Sequence, residues 1–241
     1  MKTLLVIQIL VAMVIIVWIR PSYEKSQRDR RIRNVRLNEL IFEIQQRCRS
    51  SKFDKNRWSP SFLSDATLRP NKFDFSWRLE LIAESHRHDD DYREPIRKLL
   101  VAQSLDEIKS IMANVPNDYS FSRCPSSIGT DKTAIVAVVD VGTVVQTNRI
   151  VAPEAIVDGA ENTGMLIELQ DSDIAWWEAR DLTIEEAITA IRNCGDSEGL
   201  NVSLASGKVV AVPPDTPAEE IKKLFTVNDG VPSIQFKRRR Q

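Results

Sequence analysis

Leu200-Asn201-Val202-Ser203-Leu204-Ala205-Ser206-Gly207-Lys208-Val209-Val210-Ala211-Val212 reads as two short β-type runs about a Ser-Gly turn. Apolar residues alternate through Leu200–Ala205, and Lys208–Val212 is rich in valine, while Ser206-Gly207 supplies a tight hairpin. A tight hairpin makes the pairing antiparallel. Ala134–Val141 and Met165–Leu169 have the same strand character. Before, between and after them lie helix starts of one kind, a hydroxyl residue followed three positions later by glutamate, which satisfies orphan backbone donors. Ser104-x-x-Glu107 opens a helix over 105–113, and Thr183-x-x-Glu186 opens one over 184–193, stopped by Gly195. Thr216-Pro217-Ala218-Glu219 opens a third over 217–226, with proline where its missing donor costs nothing. Strands in a meander with helices at the sheet margins define an α+β fold.

Ahead of this sheet the chain changes character. Thr3 to Ile19 is 17 residues without a charge, interrupted only by Gln8. As a helix rising about 1.5 Å per residue it reaches about 25 Å, close to the thickness of a hydrocarbon core. Lys2 and Arg20 can snorkel from its ends, and Trp18 suits an interface. Each Leu, Ile or Val favours insertion by about 0.3–0.6 kcal/mol at mid-membrane. The run ends Val17-Trp18-Ile19-Arg20-Pro21, without the small residues of a signal-peptidase site, so an uncleaved anchor is expected over residues 1–20. Residues 21–50 form a juxtamembrane stalk. Within it, Leu37, Leu40, Ile41, Ile44 and Cys48 recur at helical spacing over Arg28–Arg49, the pattern of a helix laid against a sheet. Residues 51–241 then make the globular part, beginning with an aperiodic Ser/Pro/Asn-rich loop over 51–76.

Charge is unevenly spread. Net charge is −1, yet residues 1–50 carry 10 basic and 4 acidic side chains, and Lys237-Arg238-Arg239-Arg240 adds four positive charges at the end, leaving −11 for residues 51–236. A uniformly basic nucleic-acid binder is excluded by that balance. Read by the positive-inside rule alone, the basic residues after the apolar run place the globular part in the cytoplasm.

Catalytic signatures are sparse. With no glycine before Gly129 a Gly-rich phosphate loop in the first half is impossible, and no Walker, GxGxxG, GxSxG or HExxH pattern occurs. Glu84 to Asp91 holds His86, His88 and three aspartates, but consecutive loop residues diverge rather than converge on a metal. Cys48, Cys124 and Cys194 permit three single disulfides, and sequence does not choose among them. Asp158-Gly159 with Glu161-Asn162-Thr163 is a polar turn leading into a buried strand. Trp176-Trp177 is expected to place one ring inside and one outside, as neighbours on a strand do. No catalytic, cofactor or metal residues are assigned.

In order along the chain, several of these segments resemble the bacterial pilin-like domain-of-unknown-function family 1559. Ser76-Trp77-Arg78 is similar to its SWR motif, and Cys124-Pro125 to its CPS segment. Ala137–Thr143 resembles its A-V-V-G-x-G-T strand. Asp158-Gly159 with Asn162, Thr163 and Glu168 resembles its DG-x-SNT…VE stretch. Trp176 and Asp181 match its W…EDL segment, and Gly207 the hairpin of its His-x9-Asp-Gly signature. Asp196 and Ser206 stand where that signature has His and Asp. The glycine-ended leader and the early mature glutamate used by prepilin peptidase do not occur. The resemblance implies a pilin-like fold, amino-terminal helix on antiparallel sheet, outside the cytoplasmic membrane and against the charge rule. It further implies an interaction or structural role beside other pilin-like or secretion-system envelope proteins, with the bilayer held through Thr3–Ile19 and no nucleic acid. Two rival expectations are a membrane-tethered accessory enzyme or ligand-binding module using the Asp158–Glu161 turn, and a cytoplasmic-facing lipid or nucleic-acid binder using the basic segments.

Overall fold

The computed structural model describes residues 76–78, 94–95, 98–99, 102, 104–113, 132–146, 149–151, 153–170 and 172–238. The expected anchor Thr3–Ile19, the expected stalk helix, the Glu84–Asp91 cluster, Cys48, Cys124 and Pro125 lie outside the described residues, as does the expected 51–76 loop apart from Ser76. Among the described residues no helix is long and apolar enough to cross a membrane.

The described chain is α+β. It runs α1 (Leu105–Ala113), β1 (Ile135–Ala137), β2 (Val145–Gln146), β3 (Arg149–Ile150), a 3-10 turn (Pro153–Ala155) and β4 (Gly164–Glu168). It continues through α2 (Ile184–Arg192), β5 (Leu200–Leu204), β6 (Val209–Val212), α3 (Ala218–Phe225) and β7 (Lys237–Arg238). Five strands form an antiparallel sheet in the order β1-β4-β5-β6-β7, while β2 and β3 pair separately.

The 200–212 hairpin closes as its sequence indicates. Leu204 N–H donates to Lys208 O at 2.7 Å, Gly207 N–H donates to Leu204 O at 2.8 Å, and Gly207 sits at φ +90°. Three loop residues ending in a left-handed glycine match the twist of the flanking strands. Strand alternation sorts the side chains between two faces. Val136, Ile167, Val202 and Val210 face α2 and α3, where Ile184, Ala187, Ile188 and Ile191 meet Ile221, Leu224 and Phe225 at three- and four-residue spacing. Ile135, Ala137, Leu166 and Val209 face the other way, toward Trp77, Val144, Val145 and Ile156. Both faces of the central strands are therefore buried, and α2 and α3 lie across one face.

Helix starts divide into two kinds. Thr183 caps α2 through a full capping box, its Oγ1 accepting from Glu186 N–H while the Glu186 carboxylate accepts from Thr183 N–H at 2.8 Å. Ser104 Oγ accepts from Glu107 N–H at 3.2 Å at the start of α1. The expected box at Thr216 does not form. Pro217 is the N-cap of α3, without a side-chain cap bond, and its carbonyl accepts from Glu220 and Ile221 N–H. Thr216 is buried, its N–H donating to Pro213 O, so it belongs to the turn before the cap. At the end of α2 the cap is Asn193, at φ −95°, and Gly195 does not supply a left-handed stop. Thr183→Ala removes the side-chain half of its box, leaving the Glu186 carboxylate on the backbone N–H of residue 183, and is expected to cost about 1 kcal/mol, read as a lowered thermal midpoint, whereas Thr216→Ser leaves α3 capping unchanged.

Candidate functional site

Two segments about 100 residues apart in sequence are locked together on the sheet. Ser76 Oγ donates to Trp176 O at 2.7 Å, and Ser76 N–H donates to Trp177 O at 3.0 Å. Arg78 Nη1 meets Asp181 Oδ1 at 2.8 Å, both side chains only 3% exposed. Its remaining donors reach Trp176 O at 3.2 Å, and Glu178 O and Arg180 O at 3.0 Å each. Trp77 Nε1 donates to Asp181 Oδ2 at 3.0 Å, and Ala137 N–H to Asp181 Oδ1 at 2.9 Å, tying the pair to β1. The Arg78 guanidinium also stands 5.0 Å from the Trp77 ring centre. Burial pushes the Asp181 carboxyl up from the ordinary carboxylate value, and the Arg78 charge with the Ala137 and Trp77 donors pulls it back down.

This lock requires a correction at Trp176-Trp177. Both rings are buried, and they meet edge to face at 5.8 Å between centres. Glu178 N–H donates to Ala175 O at 2.9 Å, so the pair sits in a β-turn, where neighbours do not alternate between faces. Both rings then pack inward, and neither offers a free face to sugar or lipid.

The Asp158–Thr163 turn is a backbone-binding device throughout. Asp158 Oδ2 accepts from Asp229 N–H at 3.0 Å and Gly230 N–H at 3.2 Å. Asn162 Nδ2 donates to Asp158 O at 2.9 Å, and Thr163 Oγ1 to Gly159 O at 3.1 Å. Gly159 takes φ +85°, and Ser206 N–H donates to Ala160 O, joining this turn to the hairpin that carries Gly207. Glu161 pairs with Lys208. Farther along β4, Glu168 is buried and its Oε2 accepts from Asn201 Nδ2 at 2.7 Å. Cys194 is free; burial pushes its thiol up from the usual value, which suppresses thiolate chemistry.

The motif positions thus fall into two groups. Ser76, Trp77, Arg78, Trp176 and Asp181 converge in the lock, and Asp158, Gly159, Asn162, Thr163 and Gly207 converge at the hairpin end of the sheet. Glu168 belongs to neither group. Sequence reading placed these residues in motifs without pairing them. The available signal was Arg78 set between Trp77 and Leu79, since a buried cation demands a buried acid. It also missed Glu220, whose carboxylate accepts from Ser233 N–H, and the cavity beside it; neither has a sequence signature. No cluster of three or more His, Cys, Asp or Glu suited to a metal occurs among the described residues. Comparison with protein-family profiles, curated proteins and solved structures finds no match to the chain.

Proposed function

We propose that the protein is a single-pass, membrane-anchored, pilin-like envelope protein with a structural or protein-interaction role. Thr3–Ile19 is its uncleaved anchor in the cytoplasmic membrane, and its α+β domain is displayed on the outer side. The observation that carries the reading is the 17-residue uncharged run followed by an amphipathic segment and an antiparallel sheet. The polar side chains at the motif positions support display over catalysis, because they hold backbone. Arg78 binds four carbonyls besides Asp181, those of Ile135, Trp176, Glu178 and Arg180, and Asp158 binds two amides. Partners are the bilayer and other pilin-like or secretion-system envelope proteins packed alongside the anchor.

A membrane-tethered enzyme or ligand-binding module working from the Asp158–Glu161 turn is the second reading. What favours it is that Glu161 and Asn162 border a cavity. Against a catalytic role, the Asp158 carboxylate is committed to backbone and that of Glu161 to Lys208.

The test has two arms. Full-length protein is expected to stay in the membrane pellet after carbonate washing and to begin at its first residues. A carboxyl-terminal alkaline phosphatase fusion is expected to be active, and a fluorescent-protein fusion dark. Protein released by carbonate, or with its amino end removed, overturns the anchor. A bright fluorescent fusion with inactive phosphatase overturns the orientation in favour of a cytoplasmic lipid or nucleic-acid binder.

A further inference from the structure

On the helix-facing side of β6 and β7 the segment 229–236, returning from α3 to β7, passes over a cavity of about 530 Å3. That volume suits a side chain with its flanking backbone, or a small organic ligand. The segment hangs from two carboxylates through its own backbone: Asp158 takes the N–H groups of Asp229 and Gly230, and Glu220 takes that of Ser233. Its apolar side chains do not fill the space beneath, since Val231 is 51% and Ile234 39% exposed. Leu204, Val210, Leu224 and Phe236 line it on the apolar side, and Glu161, Asn162, Gln235 and Arg238 are its polar lining residues.

Beside this cavity, among the described residues, the sheet ends at an edge with no strand paired to it. β7 is the outermost strand, pairs with β6 only at Val210↔Arg238 and Ala211↔Lys237, and both its residues are exposed. Neighbouring residues of an antiparallel strand turn their backbone groups alternately toward the partner and away. One of the two therefore presents N–H and C=O outward. An added strand would place every second side chain on the helix side, level with Phe236 and Arg238, where the cavity lies.

We infer that the β7 edge and this cavity form a docking site for an extended peptide that alternates aliphatic and acidic residues. Its backbone pairs with β7, one aliphatic side chain enters the cavity, and its carboxylates, on the opposite face, meet Lys237. Charge selects the sign of the peptide: four consecutive cations end the chain, against −11 over residues 51–236. Main-chain pairing gives the affinity and the cavity gives the choice of side chain. The inference requires only the described sheet and holds whether or not the membrane reading does.

The experiment is fluorescence anisotropy of the full-length protein in lipid nanodiscs with fluorescein-labelled Leu-Glu-Leu-Glu-Leu-Glu and its Leu-Lys counterpart. The acidic peptide is expected to bind at least about tenfold tighter than the basic one. Gln235→Trp, an exposed position at the cavity mouth, should weaken it about tenfold or more, with the thermal midpoint unchanged. Lys237→Glu should lower affinity for the acidic peptide and raise it for the basic one. Methylating alternate backbone nitrogens of the peptide should abolish binding. Equal affinities for the two peptides, indifference to both substitutions, or binding of a dansyl fatty acid without binding of either peptide overturns the proposal.

Discussion

Arg78→Met is expected to remove about 3–5 kcal/mol of stability, the cost of stranding a buried charge without its partner. The cause is Asp181, whose side chain is 3% exposed and whose carboxylate would keep only the N–H donors of Ala137 and Trp77. In the same step the carbonyls of Glu178 and Arg180 would lose the Arg78 donors, and that of Trp176 would keep Ser76 Oγ. Arg78→Lys retains the charge but not the planar fork that reaches several acceptors at once, so it should fall between wild type and Met. Arg78→Met with Asp181→Asn should be more stable than Arg78→Met alone, because the stranded charge has gone. Without Arg78, burial holds the Asp181 carboxyl still further above its unfolded value near 3.9. A folded-state value raised in this way contributes stability that is complete below the unfolded value and is lost as pH rises through the folded one. The deficit of Arg78→Met should accordingly be smallest in acid and grow toward neutrality. Urea titrations at pH 5 and pH 8 measure it, and a pH-independent loss below about 1 kcal/mol would show that the pair does not hold the two segments together.

The sheet was legible because its strands are short, apolar and punctuated by turn residues. Ser206-Gly207 marks the turn that pairs β5 with β6, and the Met165–Leu169 run marks β4, which the structure places beside β5. Thr183-x-x-Glu186 was legible for the same reason, since the cap and its helix are local. Tertiary partnerships were not. Nothing within Ser76-Trp77-Arg78 names residues a hundred positions away, and a Trp-Trp pair reads as strand until the β-turn at Ala175–Glu178 is known. Thr216 had the right residue type and spacing, yet the proline after it took the cap position. Its ring fixes φ near −65° and its carbonyl is enough to start the helix. The hanging segment 229–236 was hidden for a different reason. Asp158 and Glu220 hold it through backbone amides, which carry no residue identity, so no side-chain pattern marks its course.

Gly199→Ala is expected to be the most damaging single-methyl change among the described glycines, costing more than about 4 kcal/mol. Gly199 sits at φ +82°, which by itself disfavours a Cβ by roughly 1–2 kcal/mol. The larger part is contact. A Cβ there would lie 1.8 Å from Val212 O, 2.3 Å from Val212 C and 2.6 Å from Pro213 Cα. All three are backbone atoms, so no rotamer change makes room, and β5 would have to move off β6 at the Leu200↔Val212 pair. Both strands are buried along their length, and a shift there disturbs the contacts of Leu200 and Val212 with α2 and α3. Gly142→Ala is the matched control, because Gly142 has φ +84° and nothing within 4 Å of its Cβ position. It should pay only the left-handed backbone penalty of about 1–2 kcal/mol. Denaturant midpoints of the two variants separate conformation from contact. Equal losses would mean that β5 and β6 part at this end without penalty, which a sheet packed on both faces does not allow.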